Sequence, residues 1–189
     1  MTRWHWIRHG PTHQKTFTGW RDVPADLSDT DAVSRLAAAL PENALVVSSD
    51  LDRAVRTADA IAGTRRRLMH DPGLREFHFG AWDGVHFSEV SDRDEALSRA
   101  YWETPGDHAP PGGESWNAAA ARVAAAVRRV GSHGAQDVVV VAHFGVILTQ
   151  LQATLGVTAA EVLAYKIDPL SLTVLHPNEG RAERINDCP

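Results

Sequence analysis

The sequence predicts an α/β fold, a three-layer α/β/α arrangement with a mostly parallel central sheet and helices on both faces. Three observations carry this. Short apolar runs of strand length alternate along the chain with longer stretches of helical period. Asp137 to Ala142 holds four successive valines, the continuous apolar run expected of a parallel strand buried on both faces. The 189 residues are 43% hydrophobic and 23% charged, which are ordinary globular values for one domain able to bury its own core. The expectation is a single domain over residues 1–189, with residues 85–114 breaking the strand–helix rhythm as a short helical lid insertion.

The elements follow in order. Trp4 to Ile7 is an apolar strand stopped by Gly10-Pro11. Thr30 to Leu40 has apolar residues at Val33, Leu36, Ala37 and Leu40 and ends at Pro41, so it reads as a helix. Ala44 to Val47 is a buried strand, and Leu51 to Ala62 a helix ended by Gly63. Arg67 to His70 is a short strand candidate, and Gly73 to Gly84 a glycine-punctuated loop. Ser88 to Trp102 is polar and helical, followed by a Pro/Gly loop over Pro105 to Gly113. In Ser115 to Val130 the residues Trp116, Ala120, Val123, Val127 and Val130 share one helical face, with Gly131 as the stop. After the valine strand, Phe144 to Leu155 and Thr158 to Ala164 read as helices, and Ser171 to Leu175 as the last strand.

Composition narrows the function. A net charge of −5 argues against general nucleic-acid or membrane-surface binding. The lone cysteine, Cys188, allows no intramolecular disulfide, consistent with a reducing compartment. No apolar run approaches membrane-spanning length, and the first residues lack a signal-peptide pattern. The expectation is a soluble cytoplasmic protein. Ten histidines raise the question of a metal. His5, His9 and His13 are spaced as one helical face would need, but Gly10 and Pro11 break that span, and no His-Glu-x-x-His motif occurs. No metal and no cofactor are expected.

In open parallel sheets the crevice forms beyond the strand C-termini. Three such positions carry polar groups: Arg8-His9-Gly10, Ser48-Ser49-Asp50 leading to Arg53 in the next helix, and Ala142-His143 before Phe144-Gly145. A fourth contributor is the glycine-flanked loop holding Glu76. This set suits phosphoryl chemistry. Arginine forks bind phosphate oxygens bidentately, a neutral imidazole is a competent nucleophile near neutral pH, and a carboxylic acid can protonate a departing alkoxide. Taken singly, each residue has a plainer explanation as a surface arginine, a solvated carboxylate or a packed ring.

Ile7-Arg8-His9-Gly10-Pro11-Thr12 resembles the Arg-His-Gly-x-Thr signature of the histidine phosphatase superfamily, the phosphoglycerate mutase-like proteins. Gly19-Trp20-x-Asp22-Val23-Pro24, Ser48-Ser49-Asp50-Leu51-Asp52-Arg53-Ala54, Leu74-Arg75-Glu76-Phe77, Gly113-Glu114-Ser115 and Val141-Ala142-His143-x-Gly145 follow in family order. The resemblance implies a short, phosphatase-type member. It implies that His9 is the nucleophile, that Arg8, Arg53 and His143 bind the phosphoryl oxygens, and that Glu76 is the proton donor. Lys15, Thr16, Trp20 and Phe144 are further substrate-binding candidates. Lys15 stands where many members place an Asn, and Phe144 where a Gly is common.

The implied activity is metal-independent hydrolysis of a small phosphorylated metabolite through a phosphohistidine. A phosphoglycerate mutase-type phosphomutase is the alternative, and the insertion at 85–114 is shorter than that of the glycolytic members. A member that binds phosphorylated ligands or proteins without turnover is the third reading. The presence of all five central residues counts against it.

Overall fold

A computed structural model describes residues 1–189. Five strands form one sheet in the order β2-β3-β1-β4-β5, comprising β1 (Arg3–Arg8), β2 (Leu45–Ser48), β3 (Asp137–Ala142), β4 (Leu172–His176) and β5 (Arg181–Asp187). Strands β2, β3 and β1 are parallel, β4 runs antiparallel to β1, and β5 antiparallel to β4. Four of the five strands thus point the same way, and only β4 is reversed.

The helices are α1 (Thr30–Ala38), α2 (Asp52–Ala62), α3 (Phe87–Arg93), α4 (Glu95–Glu103), α5 (Trp116–Gly131), α6 (Phe144–Leu155) and α7 (Ala159–Val162). The valine strand shows how the layers arise. Successive side chains of a strand point to opposite faces. Val139 and Val141 pack with Val33 and Leu36 of α1 and Ala54, Ala58 and Ile61 of α2. Val138 and Val140 pack with Val123 and Ala126 of α5 and Ile147 and Leu151 of α6 on the other face. All four valines are fully buried.

Local chemistry sets the ends. Ser115 caps α5 by accepting from the Ala118 N–H, and Thr158 and Glu161 form a reciprocal capping box on α7. Gly156 ends α6 with φ +68°, a conformation that glycine adopts at little cost.

Three expectations are corrected. Residues 67–70 do not form a strand: the segment follows β2, with the Leu68 N–H on the Val46 carbonyl and the Asp71 N–H on the Ser48 carbonyl, but makes only one isolated bridge, Arg67 to Val46. The polar helix expected over 88–102 is two helices, since Asp94 leaves helical geometry at φ −148° and caps α4 through the Leu97 N–H. The last strand is β5 and not β4. Its sequence, Arg-Ala-Glu-Arg-Ile-Asn-Asp, is an exposed polar edge without a hydrophobic run, so periodicity gave no signal.

Candidate active site

The register of the sheet builds the site. Arg8 of β1 pairs with Ala142 of β3, and the His9 N–H donates to the Ala142 carbonyl at 3.0 Å. The residues that follow these two strand ends are His9 and His143, whose ring centroids lie 5.1 Å apart. Arg53, in the first turn of α2 after the neighbouring strand β2, reaches between them. Its Nε–H points to both His9 Nε2 (3.2 Å) and His143 Nδ1 (3.3 Å). Its terminal nitrogens donate to the carbonyls of Gly19 (2.6 Å), Arg21 (3.1 Å) and Thr18 (3.4 Å). This guanidinium is therefore held in place from the side away from the imidazoles.

These contacts fix both tautomers. A carbonyl can only accept, so His9 Nδ1, 2.7 Å from the Gly10 oxygen, carries the proton. The Arg53 Nε–H can only donate, so His9 Nε2 presents a lone pair. By the same logic His143 accepts at Nδ1 and carries its proton at Nε2, a buried atom with no hydrogen-bond partner. Burial, then the charge of Arg53, pushes His9 down to about 3 and His143 well below its ordinary value. Both rings are neutral near pH 7. Gly10 is itself held, its N–H donating to Thr57 Oγ1, which donates to the Arg53 carbonyl.

Arg8 places Nη1 2.6 Å from the Ile167 carbonyl and its guanidinium 5.5 Å above the Phe144 ring. Its Nε is buried and unpartnered. The loop bracing it is tied to β5, where Asn186 accepts from the Asp168 N–H and donates to the Asp168 carboxylate.

Glu76 comes from the loop after a 3₁₀ turn at Pro72–Leu74. Glu76 is 7% exposed, and its carboxyl accepts from the N–H groups of Phe77 (3.0 Å) and Gly145 (3.2 Å). Burial raises its pKa; those two donors and Arg53 only partly offset this. A side chain at residue 145 would bring a Cβ to 2.7 Å from Glu76 Oε1, so only glycine lets the start of α6 approach the acid. The Glu76 backbone is clamped as well. Arg122 on α5 donates to the carbonyls of Gly73, Arg75 and Glu76 and forms a bidentate pair with Glu114 (2.7 Å).

A cavity of about 250 Å³ opens over these groups, lined by Arg8, His9, Arg53 and Glu76 on one side. No group of three or more His, Cys, Asp or Glu is placed to hold a metal ion. His5 pairs with Asp137 at the far end of β1, and His13 pairs with Asp26 at the surface.

The model of the histidine phosphatase superfamily (branch 1) matches residues 5–187. The chain belongs to this superfamily. Bifunctional protein Rv2228c of Mycobacterium tuberculosis is 33% identical over 92% of this chain and 50% of its own length. The chain thus spans about half the length of the first curated relatives it matches. Glucosyl-3-phosphoglycerate phosphatase of the same organism is 34% identical over 82% of this chain and 75% of its own. A solved structure of the mycobacterial glucosyl-3-phosphoglycerate phosphatase Rv2419c superposes with a TM-score of 0.82 at 27% identity, covering all of both chains.

The structure brings His9, Arg8, Arg53, His143 and Glu76 together, and adds Thr16 and Phe144 to the cavity lining. Two expected substrate-binding residues lie elsewhere. Lys15 is exposed and outside the lining, while its neighbours Gln14 and Thr16 face the cavity. Trp20 turns under the Glu76 loop. Its Nε1–H donates to the Glu76 carbonyl at 2.8 Å, and its ring lies 4.9 Å from the Arg75 guanidinium carbon. It is a support for the acid loop rather than part of the lining. Sequence reasoning missed Arg122, whose partners lie 46 or more positions away apart from Glu114, and also Phe17, Phe79 and Phe87, which join the lining.

Proposed function

We propose that this chain is a phosphomonoesterase that acts through a phosphohistidine on His9 and needs no metal. The tautomer of His9 carries the reading: a buried neutral imidazole with its proton donated to the Gly10 carbonyl and its Nε2 lone pair turned to Arg53. Two buried donors without partners, Arg8 Nε and His143 Nε2, are the kind of group that a bound phosphoryl oxygen would satisfy. The named phosphatase among the relatives supports hydrolysis over mutase chemistry.

In this mechanism the phosphoryl oxygens take hydrogen bonds from Arg8, Arg53 and His143, which are set in place before charge develops. His9 Nε2 attacks phosphorus as the ester P–O bond breaks. Glu76, whose pKa burial raises, gives its proton to the leaving oxygen. Water then attacks the phosphohistidine, Glu76 takes a proton from it, and the N–P bond breaks to release phosphate and free His9. Residues 85–114, which include α3 and α4, form the wall over the leaving group in this scheme, and the substrate is a small phosphorylated metabolite.

The test is rapid quenching with a ³²P-labelled ester in the presence of excess chelator. An acid-labile, base-stable phosphoprotein is expected, absent in His9→Ala, whose turnover falls roughly 10⁴-fold or more. Wild-type turnover that disappears with chelator, or label retained in His9→Ala, would overturn the mechanism.

A further inference from the structure

We infer that the leaving group this site accepts carries a planar aromatic ring and no second negative charge. The inference deepens the phosphomonoesterase reading and rests on it.

Beyond the phosphoryl-binding groups, five rings line the cavity: Phe17, Phe79, Phe87, Trp102 and Phe144. The first four form a connected cluster around Phe17, while Phe144 lies under the Arg8 guanidinium. Phe17 lies 4.4 Å from Phe87, 5.0 Å from Phe79 and 6.0 Å from Trp102, the last pair stacked with an interplanar angle of 17°. Two of these rings are not finished by the protein's own packing. Phe87 is 50% exposed and Trp102 is 38% exposed, on α3 and α4 at the cavity mouth. Large apolar rings left open beside a site, next to buried rings of the same cluster, fit a ligand that covers them. A flat ring gains both burial and oriented ring–ring contact there.

Charge points the same way. Arg8 and Arg53 are the only cationic side chains in the lining, and Glu76 the only acid. Two guanidiniums match one phosphoryl dianion. No lining cation remains for a carboxylate or a second phosphate. The other polar groups lining the cavity are neutral, namely Thr12, Gln14, Thr16 and Thr18. Arg21 sits behind them, with Nη2 at 3.1 Å from Gln14 Oε1 and from Thr16 Oγ1, and its Nε–H facing Asp83. It orders these neutral groups, which suit the hydroxyl or carbonyl of an uncharged leaving group.

Three alkyl phosphates separate the terms without differing much in leaving-group chemistry: 2-phenylethyl phosphate, glycerol 3-phosphate and 3-phosphoglycerate. The expected kcat/KM is highest for 2-phenylethyl phosphate, by about tenfold over glycerol 3-phosphate, and lowest for 3-phosphoglycerate. Trp102→Ala should cut the ratio of the first two about three- to tenfold. Phe87→Ala, at a more exposed position, should cut it in the same direction and covers the case in which Trp102→Ala does not fold. Equal kcat/KM for all three, or preference for 3-phosphoglycerate, would overturn the substrate class while leaving a phosphatase. Hydrolysis of none of them, nor of p-nitrophenyl phosphate, would overturn the phosphatase reading itself.

Discussion

The cavity has two unlike ends. At the phosphoryl end, His9, Arg53 and Glu76 are each tied to backbone groups: the Gly10 carbonyl, the carbonyls of residues 18, 19 and 21, and the N–H groups of Phe77 and Gly145. At the other end Phe87 and Trp102 stand half in water and touch the core mainly through Phe17 and Tyr101. The difference follows from what each end must do. Charge that develops on a phosphoryl group is stabilised only by donors already in position, and backbone hydrogen bonds hold them there. Apolar recognition depends on covered area and tolerates movement. The buried polar end is where substitutions should be most damaging.

After the loss of His9 itself, the largest effect is expected for Glu76→Gln, about 10²- to 10⁴-fold on alkyl esters and far less on p-nitrophenyl phosphate, whose leaving group hardly needs a proton. The pH profile gives the sign. The working form has His9 neutral and Glu76 protonated. His9 is neutral above about pH 3, and Glu76 stays protonated up to a pKa raised by burial. Alkyl-ester turnover therefore falls as pH rises through that raised pKa, and the falling limb should vanish in Glu76→Gln. Equal losses on both substrates would remove Glu76 from the acid role.

Next comes Arg53→Lys, expected to lower kcat about 10²- to 10³-fold even though charge is kept. An ammonium cannot point one N–H at the imidazoles while the other nitrogens hold residues 18–21. A kcat within threefold of wild type would mean that charge alone matters at this end.

Arg122→Ala tests whether fixing the acid loop matters apart from contact with substrate. It removes a donor from three carbonyls and from Glu114, of which the Glu76 carbonyl keeps the Trp20 indole N–H and Glu114 keeps the His78 N–H, so stability should fall by about 2 kcal/mol. The alkaline limb should also shift as Glu76 becomes less buried, while KM changes little. A melting temperature change with an unaltered pH profile would make Arg122 structural only. The smallest effect is Lys15→Ala. Because Lys15 lies in solvent beyond both ends, KM for any ester in the panel should stay within about twofold of wild type. A larger rise would place its ammonium on the substrate after all.

The two ends also differed in how far the sequence exposed them. Arg8, His9, Arg53 and His143 were legible because each ends or follows a strand or opens a helix, and a strand end next to another strand end is a place that topology fixes; Glu76, in a loop after a 3₁₀ turn, stood out only through the family pattern around it. The strand β5 and the breaks at residue 94 and residues 67–70 were not legible, since edge pairing and a single non-helical residue leave little trace in hydrophobic period. Lys15 and Trp20 fall outside the cavity lining for a related reason. In an irregular loop, neighbouring residues do not alternate by rule. Only the folded loop shows that Gln14 and Thr16 face inward and that the Trp20 indole serves the Glu76 carbonyl.

By itself, then, the sequence determined the layered α/β architecture, the valine-centred core and the placing of Arg8, His9, Arg53 and His143 at neighbouring strand ends. All three depend on local pattern plus the rule that parallel strands end on one side of the sheet. Tertiary structure alone decided the tautomers of His9 and His143, the burial that raises the Glu76 pKa, the Arg122 clamp and the aromatic wall. Those depend on contacts between segments such as Phe17 and Trp102, or Glu76 and Gly145. Their separation along the chain carries no record of how close folding brings them.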